Sequence, residues 1–164
     1  MRNCKVTEKI VKQKIEDVIN DTYIGDALKN AIDFISHLSA NKISLSQESP
    51  KSWKASFKGK ISAIVILSEA HLVLSLRGDY SKDYESVTEC ERMKHCLLDN
   101  LFIKPCNACN AKCSDGIIGQ IFGMEFNKVC KHLPNTTYFN IVDIDAVECA
   151  KLIIEKRCHD IITA

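Results

Sequence analysis

Lys51-Ser52-Trp53-Lys54-Ala55-Ser56-Phe57-Lys58-Gly59-Lys60-Ile61-Ser62-Ala63-Ile64-Val65-Ile66-Leu67 is the stretch that decides the fold. Trp53, Ala55 and Phe57 alternate with Lys54, Ser56 and Lys58, the period of two that a half-buried strand requires. Lys58-Gly59-Lys60 supplies a turn, and Ile61 to Leu67 follows as an aliphatic run that is apolar on both faces at its centre. Such a run fits a central strand with both neighbours paired. Ser68 to Ala70 makes a second turn, after which Leu72, Leu74 and Leu76 alternate with Val73, Ser75 and Arg77. Short turns between period-two runs predict a three-strand antiparallel meander. The alternation predicts Trp53, Phe57, Val65, Leu67, Leu74 and Leu76 inside, with Lys54 and Lys58 exposed.

Helical patterns flank the meander. Val6, Ile10, Val11, Ile15, Val18 and Ile19 recur at helical spacing and predict a helix over Lys5 to Asn20. A second helix follows Gly25, with Asp26 as its N-cap and Leu28, Ala31, Ile32, Ile35 and Leu38 as its stripe. The polar stretch from Asn41 to Pro50 reads as a loop. A third helix is expected from about Tyr84 to Leu101, with Ser86 and Glu89 at capping-box spacing and Cys90 on its apolar face. Phe126 to Lys131 reads as a helical turn, and Tyr138 to Val142 as a late strand. Asp145 and Glu148 again have capping-box spacing, and open a last helix with Ala146, Val147, Ala150, Ile153, Ile154 and Ile161 inward. The fold class is therefore α+β: an antiparallel sheet, built from the meander plus the late strand, packed against helices. Residues 1–164 read as one domain, with residues 1–22 a peripheral N-terminal helix and residues 105–132 a cysteine-rich metal-binding insertion.

Composition agrees with a packed domain. The chain has 164 residues, 46% of them hydrophobic and 26% charged, enough to bury a core. Lys and Arg number 22 against 21 Asp and Glu, a net charge of +1, which argues against nucleic acid as a partner. Trp53 and Phe57 also lie on the opposite strand face from Lys54 and Lys58, so the strand offers no mixed aromatic and basic surface. No secretory signal is evident and no apolar run approaches the roughly 20 residues that span a bilayer. The expected location is the cytoplasm, where nine cysteines do not read as a disulfide framework.

The cysteines cluster in Pro105-Cys106-Asn107-Ala108-Cys109-Asn110-Ala111-Lys112-Cys113-Ser114-Asp115-Gly116, and Val129-Cys130-Lys131-His132 follows. Two thiolates separated by two residues grip one metal, because a tight turn aims both sulfurs at one point. Zinc takes four tetrahedral ligands, and Cys106, Cys109, Cys113 and Cys130 supply them. His132 and then Cys96 are the alternatives to Cys130. An iron–sulfur cluster also uses four thiolates at short spacing, and a thiol–disulfide pair at Cys106 and Cys109 is a further alternative. Cys149 and Cys158 lie near the stripe of the last helix and read as small core hydrophobes. His37 and His71 read as surface residues. No serine-nucleophile motif, phosphate loop or zinc-protease helix is present, so no catalytic residue is assigned.

The run from Lys51 to Lys60, a tryptophan strand and glycine turn entering an aliphatic strand, weakly resembles bacterial α+β domains of the YjbR/YdhG-like, frataxin-like type. The resemblance covers about residues 26–100 and carries no catalytic motif; the cysteine-rich loop departs from it. The expected function is that of a zinc-binding module for an unknown small molecule or protein, more a binding protein than an enzyme. Its site would be the exposed sheet face or a groove between the sheet and the N-terminal helices. The alternatives are an iron–sulfur or thiol-redox protein, and a homodimer formed through the first helix.

Overall fold

The computed structural model describes residues 12–76, 90–103, 117–121, 124–129 and 137–164. Its centre is a six-stranded antiparallel sheet with the order β1-β2-β3-β4-β8-β5. These strands are β1 (Ser44–Ser49), β2 (Ser52–Phe57), β3 (Lys60–Leu67), β4 (Leu72–Leu76), β5 (Leu101–Ile103) and β8 (Thr137–Ile141). Strands β6 (Ile117–Ile121) and β7 (Met124–Val129) pair with each other as a separate ribbon. The helices are α1 (Ile15–Thr22), α2 (Gly25–Ala40), α3 (Glu91–Asn100) and α4 (Ile144–Thr163).

One row of residues crosses the whole sheet: Gln47, Trp53, Val65, Leu74, Phe139 and Leu101 are successive cross-strand partners. Trp53, Val65, Leu74 and Phe139 are almost completely buried. They share one core with Ile19, Phe34, Ile35, Leu38, Leu97, Ile153 and Ile154 from the four helices, so the helices cover this face of the sheet. The next row on the opposite face contains Lys54, Ile64, Ser75, Tyr138 and Phe102.

The β2–β3 turn forms as expected. Lys58 and Gly59 have φ of 47° and 78°, the two left-handed residues that a two-residue hairpin needs to match strand twist. A bulge between Ala55 and Ser56 leaves Ser62 buried, and its hydroxyl donates to the Ala55 carbonyl at 3.1 Å. Five of the six expected inward residues of the meander are buried; Phe57 is half-buried at the sheet end. Lys58 is exposed, while Lys54 is half-buried against Glu48 at 2.8 Å.

Several boundaries differ from the sequence reading. The stretch read as a loop from Asn41 to Pro50 contains β1, an edge strand whose serines hide its period. The meander therefore has four strands. The first helix begins at Ile15, since residues 12–14 are not helical, and residues 5–11 lie outside the described residues. Asp26 does not cap α2; Ile24 holds that position without a side-chain hydrogen bond. The third helix starts at Glu91, and the stretch from Leu101 continues as strand. The Ser86 and Glu89 pair lies outside the described residues. Cys90 is the exposed N-cap of α3 rather than part of its apolar face. The last helix is capped earlier than Asp145 and Glu148 suggest: the Asp143 carboxylate accepts from the Ala146 amide at 2.8 Å. Asp145 instead takes the Arg92 guanidinium of α3. Phe126 lies on strand β7, so no helical turn forms there.

Candidate functional site

Cys106, Cys109, Cys113 and Cys130, and the alternative His132, lie outside the described residues. Among the described residues no group of three or more Cys, His, Asp or Glu is placed to hold a metal ion. Cys96 is described. It is buried on α3, where its sulfur accepts from Asn100 Nδ2 at 3.6 Å and contacts the thiol of Cys149 on α4. The Cys149 thiol donates towards the Met93 carbonyl at 3.5 Å. Burial pushes both thiols above their usual range, which keeps them protonated at neutral pH. The pair thus lacks the thiolate character that redox exchange requires, and it acts as helix–helix packing. Cys158 is half-buried and its thiol is also pushed up by burial.

Two cavities flank the end of α2. Lys42 has φ of 59°; its amide donates to the Ser39 carbonyl at 3.1 Å, and the Ile43 amide donates to the Leu38 carbonyl at 3.0 Å. These are the two bonds of a Schellman ending, with lysine at the left-handed position that glycine favours. The turn sends the chain directly into β1.

On one side of this turn is an open groove of about 970 Å³ between the start of α1, the end of α2 and the edge strand β1. Trp53 and Ile43 form its apolar base, Ser44 to Gln47 one wall, and Lys12, Lys14, Glu16 and Asp17 the opposite rim. The Gln13 amide donates to the Gln47 side-chain oxygen at 2.9 Å and bridges the two walls. This is the place between sheet and N-terminal helices that the sequence suggests; its polar Ser44 to Gln47 wall comes from β1, a strand read there as loop.

On the other side is a smaller pocket of about 380 Å³ between the α2 end, the β2 end and the last turns of α4. Ile43, Phe57, Ile154 and Ile162 line it, with Lys42 and His159 among its polar residues. His37 is not a plain surface residue: its side chain is 18% exposed and its Nε2 lies 3.3 Å from Glu155 on α4. The aliphatic period of α4 contains the signal for this pocket, since Ile162 continues the stripe past the sheet edge and stays 58% exposed.

No family model, no curated protein and no solved structure matches this chain. No described helix is long and apolar enough to cross a membrane.

Proposed function

We propose that this chain is a cytoplasmic, non-enzymatic ligand-binding module whose cysteine-rich segment is braced by a structural zinc ion. The observation that carries the binding reading is the groove beside Trp53. It is concave, is built from four elements, α1, α2, β1 and β2, and combines an apolar base with a rim of both charge signs, which suits a polar or zwitterionic small molecule. For the zinc, the support is the spacing of Cys106, Cys109, Cys113 and Cys130 in a stretch without an aliphatic stripe. Four protein ligands leave no open position on the metal, so the ion serves folding rather than catalysis.

Trp53 is the single tryptophan of the chain and lies at the base of the groove, so its emission reports occupancy. Titration with a collection of polar metabolites is expected to yield ligands that shift Trp53 emission. Ser39→Phe, at an exposed position of the groove wall, should abolish their effect. A collection that leaves the emission unchanged throughout contradicts the groove reading.

A further inference from the structure

We propose that the smaller pocket, between the α2 end, β2 and α4, is a second binding site that takes a carboxylate-headed amphiphile of medium chain length. Its volume of about 380 Å³ lies in the range of small-ligand sites. The interior is aliphatic and aromatic: Ile43 and Ile154 are nearly fully buried, Phe57 is half-buried, and Ile162 stands 58% exposed at the open side. Covering Ile162 and the outer face of Phe57 removes apolar area from water, which favours an alkyl chain.

The head group is chosen by charge. Lys42 lines the pocket and has no ion-pair partner among the described residues. Outside the lining, Lys58 Nζ lies 5.7 Å from the centre of the Phe57 ring. The acid of the pocket, Glu155, already has His37 Nε2 at 3.3 Å. Among the described residues Lys42 is thus the charged side chain of the pocket without a partner, and it is a cation. Lys42 also occupies a left-handed backbone position where glycine is the unstrained choice. A cation held at a strained position on the rim of an apolar pocket matches the recognition of an anion, and strain of this kind gathers at binding sites.

The test is calorimetric titration of the full chain with octanoate, octanol and octylammonium. Octanoate is expected to bind most tightly of the three. Lys42→Gly suits the backbone at that position, and is expected to weaken octanoate about fivefold while leaving octanol unchanged. Ala40→Trp, at an exposed position lining the pocket, is expected to abolish both. Octanoate that fails to bind, or that binds no better than octylammonium, overturns the proposal. So does octanoate affinity that survives Lys42→Gly or Ala40→Trp.

Discussion

Ile43 closes helix α2 onto Leu38: its amide donates to the Leu38 carbonyl at 3.0 Å, and both side chains are buried in the core. This contact sets the direction in which the chain leaves α2, and it places Lys42 between the two cavities. Lys42 bears the conformational cost of that closure. Lys42→Gly should raise stability by about 1 kcal/mol and the melting temperature by about 2–4 °C. Thermal unfolding of the two chains checks this, and a lower melting temperature for the variant counts against the Schellman ending.

Tyr23 ties the end of α1 to the β3–β4 turn. Its hydroxyl donates to the His71 carbonyl at 2.7 Å, with the Ser68 carbonyl at 3.0 Å. Burial pushes its pKa from the usual 10.0 up to about 12. A group whose pKa is raised on folding contributes stability below its unfolded pKa. That contribution is lost as pH rises through the folded value. The wild type should therefore lose stability between pH 10 and pH 12, and Tyr23→Phe should flatten this fall. At neutral pH Tyr23→Phe should cost about 1 kcal/mol from the lost hydrogen bond. Equal slopes of denaturation midpoint against pH for the two chains contradict the assignment.

Thr137 begins β8 on the packed face of the sheet, opposite Leu76, and its hydroxyl is buried without a hydrogen-bond partner among the described residues. Thr137→Val keeps the shape and removes the unsatisfied group. Urea denaturation should show a gain of about 1 kcal/mol; a loss of that size indicates that the hydroxyl is bonded.

The meander was legible because Trp53, Ala55, Val65, Leu67, Leu74 and Leu76 obey a strict period of two, and Lys58-Gly59 marks its tightest turn. β1 was not, because an edge strand pairs on one side only and Ser44-Leu45-Ser46-Gln47-Glu48-Ser49 offers one aliphatic side chain. Without β1 the groove could be named as a location but not given walls. The cap at Asp143 was hidden because Asp145 has the better local spacing, while a tertiary contact with Arg92 engages it. Cys96 could not be separated from the metal set by spacing; its placement follows from the packing of α3 on α4 against Cys149.

The thiols should sort by role. Cys149 is fully buried in the α3–α4 contact, so Cys149→Ser should cost about 1–3 kcal/mol, a packing loss with a polar hydroxyl in place of the thiol. Cys106→Ser should cost much more, because a structural zinc contributes its binding free energy directly to folding. Denaturant midpoints for the two variants make the comparison. Equal losses would reduce Cys106 to an ordinary thiol.

Metal analysis of the freshly purified chain, joined to its melting curve with and without chelator, tests the zinc-braced module most directly. The account predicts a colourless protein with about one zinc per chain. Chelator should lower the melting temperature of the wild type and of Cys149→Ser, while leaving Cys106→Ser nearly unchanged. A brown protein with visible absorption contradicts the zinc assignment in favour of iron–sulfur. A chain emptied of metal that melts at an unchanged temperature contradicts the structural role itself.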